Sequence, residues 1–147
     1  MTPQELQHFL HTHIPATAAL QLEVTACNGG SVGMNMPHAP NRNHKNTVFG
    51  GSISLAATTC GWAAAHLLCP EAQGNIVIQE SRFRYLQPAL NGLQLTAETP
   101  SEEETAAFRT MLAETGKGKI SLKVNVFSDG LPVAVMQGRY VALAAKD

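Results

Sequence analysis

The stretch from Ser52 to Cys69 has no formally charged side chain if His66 is neutral, and it constrains the fold more than any other part of the chain. Alanine, isoleucine and leucine residues make it apolar on almost every side. Serines, threonines, a glycine and a histidine leave it far less apolar than a membrane span of about 20 residues. A helix that is apolar all round in a globular protein lies in the core. We therefore predict a buried central helix, whose small residues allow a sheet to approach closely.

Alternating apolar residues on both sides of this helix predict β-strands. Hairpin turns are indicated at Asn28-Gly29-Gly30 and at Asp129-Gly130, and Gln137-Gly138 is a candidate β-bulge. The predicted strand regions are 22–27, 32–36, 76–85, 93–97, 120–126 and 133–143.

Two capping boxes predict two further helices. Thr2 and Glu5 begin an N-terminal helix with Leu6, Phe9 and Leu10 on its apolar side. Ser101 and Glu104 begin a short inserted helix that Gly116 ends, with an apolar side of Phe108, Met111 and Leu112. The predicted class is α+β: an antiparallel sheet wrapped around one long buried central helix. We expect one domain over residues 1–147.

Composition limits the classes of partner. Charged residues make up 14% of the 147 residues, against a usual value of about 25%, which favours an oligomer that hides part of its surface. The net charge of −1 argues against nucleic acid or an anionic membrane as the main partner. The N-terminus lacks the pattern of a secretory signal. The three cysteines lack metal-ligand spacing and suit a reducing cytoplasm, and we expect no metal site.

The loop that leads into the central helix ends in Gly50-Gly51, and these glycines are the candidate centre of a site. Glycines at a helix start allow a ligand to approach closely and leave amide N–H groups without intrahelical partners. Such donors, at the positive end of the helix dipole, suit the oxyanion that develops when a thioester is attacked. The alternative is that the two glycines only permit a tight turn.

The segment from Asn43 to Ser52 resembles the junction motif of hotdog-fold acyl-CoA thioesterases. The closer resemblance is to the thioesterase family found as the C-terminal half of some acetyltransferases (YiiD C-terminal-like). There the junction reads much like residues 47–52, with a later Gly-Trp pair as in Gly61-Trp62 and a strand like residues 76–88. PaaI-like acyl-CoA thioesterases are more distantly similar. The resemblance covers essentially the whole chain and implies a hotdog fold and thioester hydrolysis by direct attack of water.

Two departures from the PaaI-like pattern affect the catalytic assignment. Phe49 stands where those enzymes have histidine, and Thr58 stands where they have a catalytic aspartate. A threonine hydroxyl can hold a water molecule but is a poor general base. We therefore keep four catalytic candidates: Asn43, Gly50, Gly51 and Thr58. For Thr58 the alternative is structural, a hydroxyl that bonds back to the preceding turn of its own helix.

A base from elsewhere is the other possibility. Glu80 lies in mid-strand, where partial burial would raise its pKa, and His44 titrates near neutrality. Either is a candidate to activate water across a dimer interface. The alternatives are that Glu80 pairs with Arg82 or Arg84 of the other strand and that His44 is simply solvated.

Substrate-binding candidates complete the prediction. His44 and Asn46 lie in the motif loop, while Phe49 and Trp62 are expected at the dimer interface or acyl pocket. Basic side chains are candidates for the phosphates of coenzyme A, which would be part of the substrate rather than a cofactor; they are Arg82, Arg84, Lys117 and Lys119, with Arg42 and Lys45 as further possibilities.

The expected function is that of an acyl-CoA or acyl-carrier thioesterase, acting as a homodimer or a dimer of dimers on a small-molecule acyl thioester. Two alternatives remain open. A hotdog hydratase or dehydratase needs a histidine and a carboxylate that face each other, for which His44 and Glu80 are the candidates. A non-catalytic acyl-CoA-binding or sensing module needs no base.

Overall fold

A computed structural model describes residues 1–145 as one six-stranded antiparallel sheet with four α-helices. The strands are β1 (Glu23–Asn28), β2 (Ser31–Met36), β3 (Ile76–Tyr85), β4 (Leu93–Ala97), β5 (Lys117–Ser128) and β6 (Leu131–Leu143). The helices are α1 (Pro3–His13), α2 (Pro15–Ala19), α3 (Gly50–Leu68) and α4 (Glu102–Thr115).

The sheet wraps around α3. Its strand order is β1-β2-β4-β5-β6-β3, so β1 and β3 are the two edges. Helix α3 contacts five of the strands, β2 to β6. Ten of its residues are buried, and most of these are alanine or similarly small, which is why the sheet can lie close to the helix. The predicted hotdog architecture is confirmed. Among residues 1–145, no helix combines the length and hydropathy needed to cross a membrane.

Both capping boxes form, at Thr2 with Glu5 and at Ser101 with Glu104, so the two predicted flanking helices begin where their caps place them.

Two details of the helices differ from the prediction. Pro15 predicts only the end of α1, but Pro15 also occupies the first position of α2, where proline is favoured, so α2 is an additional helix. Met111 was assigned to the apolar side of α4, but 39% of it is exposed, and Phe108 and Leu112 alone are buried there.

The bulge predicted at Gln137-Gly138 is wrong. Those residues pair regularly with β3 and β5, and the irregularity lies on the opposite strand, between Ile78 and Glu80. Gly138 has a packing role instead. A Cβ there would stand 3.0 Å from the Tyr140 ring and 3.2 Å from the Met136 side chain. The glycine makes room for a buried tyrosine beside it.

Tyr140 also explains a glycine in the middle of α3. Its side chain is fully buried, and its hydroxyl donates a 2.7 Å hydrogen bond to the carbonyl oxygen of Thr58. A Cβ at Gly61 would overlap that hydroxyl and stand 2.8 Å from the ring carbon Cζ. Glycine costs a helix interior about 1 kcal/mol relative to alanine. Here that cost is offset by the approach of β6 to the helix.

We therefore expect Gly61→Ala to destabilise the fold in spite of its better helix propensity. Overpacking of a core costs about 1–3 kcal/mol, more than the propensity gain returns. Tyr140→Phe alone should lose about 1 kcal/mol with its hydrogen bond. In denaturant titrations, the double variant should lose about 1 kcal/mol less than the sum of the single variants. Strict additivity would show that Gly61 does not make room for Tyr140.

Candidate functional site

The motif loop is held together by Asn43. Its side-chain oxygen accepts hydrogen bonds from the backbone amides of Lys45 (2.9 Å) and Thr47 (3.1 Å), and its Nδ2 lies 2.9 Å from Thr47 Oγ1. Its own backbone amide donates to the Thr47 carbonyl at 2.7 Å. Asn46 adopts the left-handed conformation, with φ of 62°, which closes this turn. Asn43 therefore shapes the loop before α3 rather than presenting a free amide group.

Asn41, which the sequence did not single out, anchors the loop to the core. It is buried, and its Nδ2 donates to the carbonyls of Leu20 and Pro37 at 2.9 and 2.8 Å. Its carbonyl accepts the Phe49 amide at 2.7 Å. Three asparagines stand in this loop, and polarity alone does not reveal which one is buried. The anchor fixes the chain direction at the residue that precedes α3.

The N-terminus of α3 is left without a capping side chain. Phe49 occupies the N-cap position, and its carbonyl accepts the first intrahelical hydrogen bond, from Ile53 at 3.0 Å. The amides of Gly50, Gly51 and Ser52 have no acceptor within residues 1–145. Most helices satisfy such donors with a serine, threonine or aspartate at the N-cap. This junction instead presents amide donors, together with the positive end of the helix dipole, to whatever binds there.

Two exposed aromatic rings flank the glycines. Phe49 is 55% exposed and Tyr85 is 53% exposed. A Cβ at Gly51 would overlap the Phe49 ring and stand 3.0 Å from its Cδ2 and Cζ atoms, whereas a Cβ at Gly50 would meet Tyr85 at an ordinary 3.7 Å. The Tyr85 hydroxyl donates to the Gly50 carbonyl at 3.3 Å. Tyr85 lies at the end of β3, distant in sequence, so the motif itself carries no signal for it.

A partly exposed stripe on α3 continues from these glycines. Ser54, Leu55, Thr58 and Trp62 recur at helical spacing and, with Ile14 and Ala16, line a mostly apolar groove of about 350 Å³. The stripe is the exception to the prediction that α3 is buried all round. The groove begins one turn beyond Gly51, so the exposed helix start and an apolar channel lie on the same helix.

Thr58 differs from two neighbouring hydroxyl residues of α3, Ser54 and Thr59. Ser54 donates to the Gly51 carbonyl at 2.9 Å and Thr59 donates to the Leu55 carbonyl at 2.8 Å, each one turn back along the helix. The Thr58 hydroxyl makes no such bond within residues 1–145, so the alternative that it bonds back to its own helix is wrong. Thr58 lines the groove, and its hydroxyl has no partner among the described residues that would compete with a bound molecule.

Trp62 is held rigidly at the far end of the groove. Its Nε1 donates to the carbonyl of Ile76 at 2.8 Å. The indole stacks against His66 and Phe9, with ring centroids 5.1 and 6.0 Å away. Burial lowers the pKa of His66, which keeps its imidazole neutral at pH 7 within this stack. Trp62 therefore presents a fixed apolar wall to the groove.

Glu80 lies on the other side of the sheet. Side chains alternate along a strand, and on β3 Phe83 and Tyr85 face α3 while Glu80, Arg82 and Arg84 face outward. The Glu80 side chain is 67% exposed and pairs with Arg139 at 3.3 Å, so its expected partial burial is wrong. Its pairing with Arg82 or Arg84 of another copy of the strand stays a prediction. It lines a small outer cleft with Arg82, Ser121 and Gln137.

The remaining candidates divide between the two sides of the sheet. Lys117 and Lys119 are exposed on β5 and alternate with buried residues, which places them on the outer face with Arg82 and Arg84. His44 and Lys45 are exposed in the motif loop. The outer-face cations therefore do not join the glycine junction within one protomer. Within residues 1–145, no three histidine, cysteine or carboxylate side chains lie together as a metal site requires.

Solved structures of similar fold include several thioesterases. A Shewanella oneidensis protein described as a putative thioesterase is 28% identical, with 96% of each chain covered and a TM-score of 0.83. A Chlorobaculum tepidum protein of unknown function is also 28% identical, with 98% of each chain covered and a TM-score of 0.89. The E. coli PaaI protein, from the phenylacetic acid degradation operon, shares the fold at 15% identity, with 98% and 95% coverage and a TM-score of 0.72.

The family model described as "Putative thioesterase (yiiD_Cterm)" matches residues 3–144, almost the whole described chain. That match agrees with the glycine junction, the Gly61-Trp62 pair on α3 and the hotdog arrangement of the sheet. The chain therefore belongs to the YiiD C-terminal thioesterase family of the hotdog fold.

Proposed function

We propose that the protein hydrolyses an acyl thioester by direct attack of water, with the thioester oxygen bound by the amides of Gly50 and Gly51. The observation that carries the proposal is the uncapped N-terminus of α3, where the Gly50, Gly51 and Ser52 amides have no acceptor within residues 1–145. Preorganised amide donors stabilise the negative charge that develops on the carbonyl oxygen. Family membership supports the same chemistry.

The apolar groove on α3 suits the acyl chain. It starts one turn from Gly51 and ends at the fixed indole of Trp62. Apolar walls bury a hydrocarbon chain without leaving polar groups unsatisfied. The pantetheine arm and its carrier, coenzyme A or a protein, would leave the site past Phe49 and Tyr85, which flank the glycines.

Thr58 is proposed to hold the attacking water, and helix geometry indicates that it does so for a second protomer. Thr58 lies seven positions after Gly51, a rise of about 10 Å at 1.5 Å per residue. A water bonded to Thr58 would lie too far from a carbonyl bound at Gly51 of the same helix, since hydrogen bonds span about 3 Å. An antiparallel α3 from a second copy would bring its Thr58 to this glycine pair.

A homodimer would supply that second helix. Strand β3 is an edge strand of ten residues, and the exposed stripe of α3 lies beside it. Long open edges are normally covered, because their backbone groups pair readily with another strand. A two-fold contact through β3 and the α3 stripe would cover both features at once. The low charged fraction of 14% agrees with hidden surface.

The structure bears on the alternative functions unequally. A hydratase would need His44 and Glu80 to face each other, but within one protomer Glu80 lies on the outer face, paired with Arg139. A non-catalytic acyl-binding module agrees with the absence of a carboxylate on α3. Tight binding of acyl thioesters without release of free thiol from any of them would favour that module over the enzyme.

Gly51→Val should lower kcat/KM for an acyl-CoA panel by about 10²-fold, the typical cost of losing an oxyanion donor. A Cβ at this position overlaps the Phe49 ring, and the β-branched side chain adds bulk where the carbonyl must approach. Gly50→Ala is the matched control: its Cβ makes only an ordinary contact with Tyr85, so its loss should be much smaller. Equal losses would contradict close approach at Gly51. Thiol release and circular dichroism provide the two measurements.

Thr58→Ala should lower kcat about tenfold, which corresponds to about 1.4 kcal/mol of transition-state stabilisation. Thr58→Ser keeps the hydroxyl and should retain most of the activity.

The kcat of Asn43→Ala should fall between those of Thr58→Ala and Gly51→Val, because the change loosens the loop before the glycines. Glu80→Gln, on the outer face, should leave kcat unchanged. If Glu80→Gln abolished turnover and Thr58→Ala left kcat unchanged, the general base would be the Glu80 carboxylate on β3, and the assignment to Thr58 would be wrong.

Mixing the Gly51→Val and Thr58→Ala proteins tests whether the site is shared. If each site takes its glycines from one protomer and Thr58 from the other, every heterodimer regains one intact site. Subunit exchange should then raise activity several-fold above the unmixed average, towards about a quarter of wild type. No rise, in a sample that sedimentation shows to be dimeric and exchanged, would place both residues in one protomer. A monomer in sedimentation would contradict the shared site outright.

A further inference from the structure

The outer face of the sheet carries most of the positive charge of the chain. Six of its ten lysine and arginine residues point outward from three neighbouring strands. They are Lys117, Lys119 and Lys123 on β5, Arg139 on β6, and Arg82 and Arg84 on β3. We call this surface the basic face. Because the whole chain has a net charge of −1, the rest of the molecule carries an excess of acidic groups.

Ion pairs within the protein neutralise only part of this charge. Glu80 pairs with Arg139 at 3.3 Å, and Glu98 pairs with Lys123 at 3.6 Å. The other four cations, Arg82, Arg84, Lys117 and Lys119, have no ion pair within residues 1–145. Their charges are therefore available to an anionic partner, and no described contact within the chain accounts for them.

The charges are spread out rather than gathered into a pocket. Lys117 and Lys123 are about 20 Å apart along β5, and β5 and β3 are about 10 Å apart across the sheet. The cleft on this face, about 190 Å³, contains one cation unpaired within residues 1–145, Arg82, beside the ion pair of Arg139 with Glu80. A compact phosphate group would need converging donors. An acidic helix of about 13 residues, some 20 Å long, matches the dimensions of the face.

We propose that the basic face binds an acidic protein, and that the acyl group reaches this chain on such a carrier protein. This assignment rests on the proposed thioester hydrolysis, whose carrier is otherwise open. The basic face extends to the catalytic end of β3: Arg84 is on the face, and its neighbour Tyr85 contacts Gly50. A second copy of the chain fits this face poorly, because two basic faces repel each other.

The test compares one acyl group on two carriers: octanoyl-pantetheine on an acidic acyl carrier protein, and octanoyl-CoA. Arg82→Glu/Lys119→Glu should lower kcat/KM for the protein-borne substrate at least about tenfold with kcat unchanged, because charge complementarity acts mainly on association. The loss should shrink at high salt. Octanoyl-CoA should change by no more than about twofold. Arg109→Glu, which reverses the charge of an α4 cation away from the basic face, is the control; Arg109 pairs with Glu71.

Three outcomes would overturn the proposal. An equal loss on octanoyl-CoA would assign the face to nucleotide phosphates, and no loss on either substrate would leave it without a role in substrate delivery. Binding of a single-stranded oligonucleotide together with no binding of the carrier protein would assign it to nucleic acid. If the double variant unfolds, Arg82→Gln/Lys119→Gln should show the same direction with a smaller loss.

Direct binding separates this proposal from thioester hydrolysis. Titration calorimetry with the unacylated carrier protein needs no turnover. The wild-type protein could bind the carrier protein, and the double variant fail to bind it, while the wild type hydrolyses neither substrate. That result would support the basic face and contradict the hydrolysis. Hydrolysis of octanoyl-CoA without any binding of the carrier protein would support the hydrolysis and contradict the basic face.

Discussion

The close approach of α3 to the sheet is the constraint on which the rest of the structure depends. It requires small residues along the buried side of the helix, and it requires Gly61 in particular, because the buried Tyr140 side chain lies against that position. Once the helix is held there, its first turn is fixed relative to the motif loop by the buried Asn41. The geometry of the candidate site therefore follows from packing in the core.

The same arrangement assigns the proposed chemistry to the backbone. No charged side chain stands on α3, so the helix offers amide donors, its dipole and, in the groove, the Thr58 hydroxyl, which does not bond back to the helix as those of Ser54 and Thr59 do. Backbone donors at a helix start are preorganised, since the helix itself holds their direction. In the proposed mechanism the backbone binds the carbonyl oxygen, so Phe49 can replace the histidine of the PaaI-like enzymes. Thr58 can replace their aspartate provided that the Thr58 of a second protomer holds the water.

Much of the fold could be predicted because local signals agreed with one another. Capping boxes, alternating strands and the uncharged stretch each specify an element without reference to distant residues. Which side of the sheet a charged residue occupies could not be predicted. The bulge between Ile78 and Glu80 shifts the alternation of β3, so Glu80 faces outward to Arg139. Tyr85 and Asn41 were missed for a related reason, since their roles depend on contacts between segments distant in sequence.

The central claim is that the substrate carbonyl binds at the amides of Gly50 and Gly51. Titration of the ¹⁵N-labelled protein with a ketone analogue, in which a methylene replaces the thioester sulfur, tests it most directly. The claim predicts downfield shifts of the Gly50 and Gly51 amide protons, as expected when an N–H donates to a carbonyl. Gly116 and Gly130, at remote turns, should not move. Saturable binding that leaves both site glycines unshifted would contradict the claim.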